Sequence, residues 1–477
     1  MENGGTGAAA ILADDTWMTI VWMVCSQFEP RSRAFGDAVR ALSLVCRQLF
    51  GVVAGMPRLW PNLIVDCEST PAYVNRHLQN CGTRLLDVSV LHNFYPYSGT
   101  PPEQRAERRT VLSRALQTAA EATSRWGTLE VMTRGFRTME SIVDALRDKD
   151  AGSLKKLSIQ CRPFPSTVPC MRSLFRSRLP CLTHMEVVGI PVPWDQVEVF
   201  AGLRHLSVRN PPPSTHPTHS EFTRILKTST LLEILELEGV GVVDDGEGVS
   251  SAGIMLECAS ITVLVLGLKD GPSTFMLRRA LDGARFPQLM KLHVWFSSAR
   301  PATAWVGSNL WVTTPHIAIG GDVNVTEDVR RIFASMREVV TLDLREGSDF
   351  AEALLDKSSV GHDQVYADGS DVRLPAIWLA EPLLQQALYN AQNAWCRKLR
   401  EVWTASESVF FVQKLAQGRI DDGLPLTTVI WEHPQLRPDT VPSFGRAWER
   451  SHAALTEIVP EFSERGPTRS LRSDRRF

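Results

Sequence analysis

Nine times along this chain the same short string returns: an apolar residue, two of any kind, an apolar residue, one of any kind, then a third apolar residue. It reads Leu85-Val88-Val90, Trp126-Leu129-Val131, Leu154-Leu157-Ile159, Leu182-Met185-Val187 and Leu203-Leu206-Val208 in the first half. It continues as Leu232-Leu235-Leu237, Ile261-Leu264-Leu266, Leu289-Leu292-Val294 and Val339-Leu342-Leu344. Counted between middle residues from Leu129 onward, the intervals are 28, 28, 21, 29, 29, 28 and 50. The last is two steps of 25, and Ile317-Ala318-Ile319 stands at its midpoint. Two apolar residues separated by one are the mark of a strand with one buried face. A single strand of this kind cannot bury that face alone. Stacked copies pair their backbones and share a core, so the period predicts parallel strands, one to a repeat.

A period of roughly 20–29 residues with this pattern is the signature of leucine-rich repeats. The returning segments read as partly helical: Phe222, Ile225 and Leu226 precede one strand, and Phe275, Leu277 and Leu281 another. The asparagine that such repeats place three residues beyond the last apolar position is replaced by Arg162, Ile190, Pro211 and Val240, so the array is degenerate.

Ahead of the repeats, Ile11 to Asp66 has a different period. Asp14 or Asp15 can cap a helix in which Trp17, Ile20 or Val21, Val24 and Phe28 recur, and Pro30 stops it. A second helix is predicted with Leu42, Val45, Leu49 and Val52 on one face, closed by Gly55 and Pro57. Leu63 and Val65 then alternate as a strand. Two short amphipathic helices bury little by themselves and need a partner surface.

The order Leu12-Ala13-Asp14-Asp15, Ile20-Val21, Leu44-Val45-Cys46-Arg47 and Pro57-Arg58-Leu59-Trp60 resembles an F-box. Ala13 stands where that family usually has proline, and Leu49 where it usually has tryptophan. The layout as a whole resembles F-box proteins expanded in mushroom-forming fungi. The resemblance implies docking on a Skp-type adaptor, and through it on a cullin, by Leu12, Ile20, Val21, Leu44, Val45 and Leu49. The rest of the chain would then select the protein to be ubiquitinated.

Composition narrows the remaining classes. With 44% hydrophobic and 22% charged residues the chain reads as soluble and globular, not disordered. A formal charge of −2 opposes attachment to nucleic acid or membrane by bulk electrostatics. No apolar run approaches the roughly 18 residues of a membrane span, and no basic residue precedes Arg31, so a cytoplasmic or nuclear protein is expected. Nine cysteines, an odd number placed mostly in apolar stretches, suit reduced core thiols. Cys161, Cys170 and Cys181 with His184 lack the short paired spacing of a zinc site, and His216 and His219 in the proline-rich loop make a poor one. Gly239-Val240-Gly241-Val242-Val243-Asp244 places a carboxylate where a dinucleotide turn needs its third glycine. No catalytic residue, metal or cofactor is therefore expected.

The domain reading is a disordered 1–10, an F-box-like 11–66, a solenoid over 67–375, a last repeat and cap over 376–462, and a basic disordered tail over 463–477. Leu399-Val402-Thr404 supplies the last repeat strand, and 409–412 and 428–431 the cap. Residues between and beside the apolar positions of each strand should line a concave face. Between Thr228 and Leu268 stand seven acidic residues and no lysine or arginine. Glu236, Glu238, Val263, Val265, His293 and Trp295 are accordingly the expected contacts for a basic, partly apolar partner. The alternative is a repeat scaffold that binds partners without any ligase.

Overall fold

A computed structural model describes residues 14–28, 33–92, 101–161, 174–175, 179–245, 256–269, 271–297, 305, 308–321, 339–343, 401–405, 416–417, 427–432 and 453–465. Leu12, Cys170, the Arg345–Pro375 insert and the 409–412 stretch lie outside them. The chain divides into two compact units, Met1–His216 and Pro217–Phe477.

Three helices open the first unit: α1 (Asp14–Cys25), α2 (Arg33–Val45) and α3 (Arg47–Ala54). The single helix predicted across Leu42–Val52 is two. The chain breaks at Cys46, whose backbone is extended (φ −158°, ψ 164°) and whose Sγ accepts the Leu49 amide at 3.4 Å. A side chain that takes a first-turn amide starts a new helix. The break also splits the expected face: Leu49 and Val52 turn into the core, while Leu44 and Val45 project to solvent. Val21, Cys25, Phe35, Val39, Leu49, Val52 and Val53 are the buried apolar side chains of these three packed helices.

Six strands follow: β1 (Asn62–Asp66), β2 (Leu86–His92), β3 (Trp126–Thr133), β4 (Lys156–Cys161), β5 (His184–Val188) and β6 (His205–Arg209). They pair in chain order, every pair parallel. The register sets Leu63, Val88, Leu129, Leu157, Met185 and Leu206 in one row, and all six are buried. From Val88 onward these are the middle residues of the motif. Val65, Val90, Val131, Ile159, Val187 and Val208 form the next core row, with no exposed surface at all. The returns are α4 (Pro71–Cys81), α5 (Pro102–Ala120) and α6 (Phe136–Leu146), packed α4 beside α5 and α5 beside α6. One motif residue departs. The register shifts between Leu86 and Asp87, so Leu86 is buried and Leu85 is left exposed.

The second unit holds α7 (His219–Thr228), α8 (Pro272–Asp282) and strands β7 (Ile234–Glu238), β8 (Val263–Leu268), β9 (Lys291–Phe296) and β10 (His316–Gly321). Beyond them come β11 (Thr341–Asp343), β12 (Glu401–Ala405), β13 (Thr428–Glu432) and β14 (Glu461–Arg465). They too pair parallel and in order, with Leu235, Leu264, Leu292, Ile317, Leu342, Val402, Val429 and Phe462 in one row. Ile317 thus fills the midpoint of the 50-residue interval. Residues 428–432, expected in a closing cap, extend the ladder instead, and β14 reaches Arg465 inside the expected disordered tail. Thr218 and Glu221 close a capping box at the start of α7, whose Phe222, Ile225 and Leu226 are buried. On α8, Leu277 and Leu281 are buried, but Phe275 is exposed, two residues off the face that faces the core. The architecture is mixed α/β, built on parallel strands with helical returns.

Four of the seven described cysteines behave as core residues. Cys25, Cys81, Cys161 and Cys258 are buried and unbridged, and desolvation pushes the Cys161 and Cys258 thiols up to about 11, which keeps them protonated. Cys181 is exposed, and among the described residues no group of three or more ligating side chains could hold a metal ion.

Candidate functional site

The helices at the start of the first unit divide the residues expected at an adaptor contact. Val21, with no exposed surface, and Leu49, 3% exposed, are packed inside the unit. They hold the helices together and present nothing to a partner. Ile20 is half-buried, and Leu12 lies outside the described residues. Leu44 and Val45, at the end of α2, are 73% and 68% exposed. Trp22 and Met23 on α1 and Phe50 on α3 are exposed as well, and sequence reading missed all three. Five of the ten exposed large apolar side chains among the described residues therefore fall between Trp22 and Phe50. That concentration matters because scattered exposed leucines are ordinary, whereas five exposed large apolar side chains within so short a stretch of sequence are not. The two aromatic rings are partly shielded by cations: the Arg58 guanidinium lies 4.4 Å from the Trp22 ring centroid and that of Arg76 6.0 Å from Phe50.

In the second unit the strands bring all six expected partner residues to the face away from the leucine row. Glu236, Val265 and His293 are cross-strand neighbours on β7, β8 and β9. Glu238, Gly267, Trp295 and Gly320 form the next row, and Ile234, Val263, Lys291 and His316 the one before. Exposure is lower than alternation alone predicts. Glu236 is buried at 8%, and Glu238, Val263, Val265, His293 and Trp295 are half-buried. For Glu238 and Trp295 a pair of glycines contributes. A β-carbon on Gly267 would meet the Glu238 side chain at 2.6 Å, and one on Gly320 would meet the Trp295 ring. Each larger side chain leans into the space its neighbour leaves open. The acidic stretch is also partly committed: Asp245 accepts the Ser220 hydroxyl at 2.5 Å and amide at 3.1 Å, bonds that hold its carboxyl below the usual range and fix the first turn of α7.

The corresponding face of the first unit carries a pattern that sequence reading did not isolate. Its middle row runs Ser89, Glu130, Ser158, Glu186, Ser207, alternating hydroxyl and carboxylate across five strands. The Ser158 hydroxyl donates to Glu186 at 3.2 Å, and the Arg209 guanidinium meets the other Glu186 oxygen at 3.2 Å. His184 and His205 stand edge to face beside them, ring centroids 5.9 Å apart. A carboxylate held by both a hydroxyl and a guanidinium is a cross-strand brace.

The glycine turn after β7 is likewise used by the fold. Gly239 donates its amide to the Gly267 carbonyl at 2.7 Å, and Val240 and Val242 are buried. Among the described residues no helix is long and apolar enough to cross a membrane. No protein-family model and no curated protein matches the chain.

Proposed function

We propose that this chain is a non-catalytic substrate receptor of a cullin-based ubiquitin ligase, working in the cytoplasm or nucleus. The N-terminal helices are F-box-like and dock on a Skp-type adaptor; the parallel strands are a leucine-rich-repeat solenoid that holds the target. The observation that carries this reading is the exposure of Leu44 and Val45 at the end of α2, inside a three-helix unit that precedes the repeats. Burying such side chains against a partner stabilises a complex by up to about 2 kcal/mol each. The target's place is the face of β7 to β9, where Glu238, Val263, Val265 and His293 suit a basic, partly apolar segment. Catalysis would come from proximity alone, by raising the local concentration of a target lysine near the charged ubiquitin-conjugating enzyme.

A repeat scaffold without a ligase is the second reading, and the burial of Val21 and Leu49 favours it, because those positions cannot serve an adaptor. Recovery of the tagged full chain from fungal cells separates the two. The ligase reading expects the Skp-type adaptor and a cullin in the eluate, and their loss with Leu44→Asp plus Val45→Asp. Absence of both from the wild-type eluate leaves the scaffold.

A further inference from the structure

Among the described residues β1 is the first strand of its sheet and has a neighbour on one side only. The Asp87 amide donates to the Pro61 carbonyl at 2.7 Å, which fixes the phase of the parallel ladder. Leu63 and Val65 therefore bond to β2, while the backbone groups of Asn62, Ile64 and Asp66 point to the free edge. Ser69 closes one end of that edge. Its hydroxyl accepts the Asp66 amide at 3.0 Å and lies 3.4 Å from the Ile64 carbonyl. Among the described residues nothing bonds the Ile64 amide or the Asn62 carbonyl. A strand edge left unpaired in this way is a template for another strand.

Asn62, Ile64 and Asp66 also line a cavity of about 360 Å³ between α2, α4 and β1. That volume falls within the range of ligand pockets. One wall is aromatic: His77 faces Trp60 edge-on at 5.3 Å and Tyr73 at 6.0 Å. His77 is 4% exposed, and neither ring nitrogen has a partner in hydrogen-bond geometry, although the Trp60 carbonyl lies nearby. The charged lining consists of Asp37, Asp66 and Glu68 against Arg40 and Arg76, an excess of one negative charge. Burial first, and then the Asp66 carboxylate, push the Tyr73 hydroxyl up, as expected where the local field is negative.

We propose that this cavity captures an extended peptide segment of a partner protein, added as a strand to the free edge of β1, with an aromatic side chain against Trp60, Tyr73 and His77 and basic residues beside it. Main-chain bonds to Ile64 and Asn62 supply the pairing, and the aromatic wall and acidic rim supply the selection. This capture site goes beyond the ligase reading and does not depend on it.

The test uses the full chain and nine-residue peptides in which a phenylalanine lies between two arginines and valine alternates with threonine elsewhere. Binding is followed by fluorescence anisotropy, and hydrogen exchange is read at single amides. Saturating peptide should protect the Ile64 amide at least tenfold while leaving that of Leu63 unchanged, since Leu63 already bonds to β2. Methylating the peptide's amides one at a time should weaken binding at every second position, because only alternate amides face the edge. Replacing both arginines by glutamate should weaken it at least tenfold. Failure of the peptides to bind, or indifference to methylation, overturns the proposal. So does an Ile64 amide as protected in the free chain as that of Leu63, which would put the chain's own segment or a second copy on this edge.

Discussion

Trp295 and Gly320 are direct neighbours across the β9–β10 pair, and the indole six-membered ring of the first occupies the space that a β-carbon on the second would need. An anchor expected to stand free is therefore half-seated on its own sheet. Gly320→Ala should drive the ring off and cost about 1–3 kcal/mol, the usual price of overpacking. Trp295→Ala in the same chain should restore most of that loss, because the clash needs both partners. Urea denaturation of the two single variants and the double variant reads the coupling. Additive effects would mean that the ring does not depend on the glycine.

Burial along the two strand faces predicts a second contrast. Leu157→Ala, Leu206→Ala, Leu235→Ala, Leu264→Ala or Leu292→Ala removes a side chain with at most 2% of its surface exposed and should cost about 2–5 kcal/mol. Val263→Ala and Val265→Ala, on the half-buried opposite face, should each cost less than about 1.5 kcal/mol. Chemical denaturation measures both sets; equal losses would undo the assignment of the leucine row to the core.

Acid should destabilise the first unit through His77. Desolvation lowers its pKa from 6.5 to about 4, so the folded chain keeps the ring neutral where the unfolded chain protonates it. The unfolded state then binds more protons between those values, and stability, fully present above pH 6.5, falls as the pH drops toward 4. The slope is about 1.4 kcal/mol per pH unit in that window. His92 is shifted the same way, by burial first and then by Arg109. Melting temperatures of wild type and His77→Phe at pH 7 and pH 4.5 check this: the variant should lose clearly less on acidification, and an identical drop would remove His77 from the account.

Much of this fold was legible because a strand's period and a constant repeat length are set by burial, which leaves its mark in residue type. The middle residue of every recurring string from Val88 to Leu292 falls in a core row, Leu342 holds the same register position, and the one gap was filled at Ile317. What escaped reading was decided by backbone geometry. Cys46 carries no helix-breaking signature, yet its extended backbone splits one predicted helix and turns Val45 from core to surface. The missing asparagine drew attention to the wrong column. Gly189 (φ 74°), Asn210 (φ 49°) and Gly239 (φ 63°), each two residues beyond the last apolar position, share the left-handed turn that ends β5, β6 and β7. A glycine or asparagine at that offset was the available signal. Of the partner residues, alternation placed all six on one face, but the seating of Glu238 and Trp295 depended on Gly267 and Gly320 in neighbouring strands, which no single-strand pattern contains.

The central claim is that exposed side chains at the end of α2 meet a Skp-type adaptor, and calorimetric titration of the purified adaptor into the purified chain tests it most directly. The account predicts a one-to-one complex for wild type. Leu44→Asp with Val45→Asp should weaken it by on the order of a hundredfold or more at an unchanged melting temperature, since each side chain contributes up to about 2 kcal/mol and neither supports the fold. Val21→Asp should instead lower the melting temperature, because that side chain is wholly buried. No heat of binding with the wild-type chain, or equal affinity for the Leu44→Asp, Val45→Asp variant, would contradict the account.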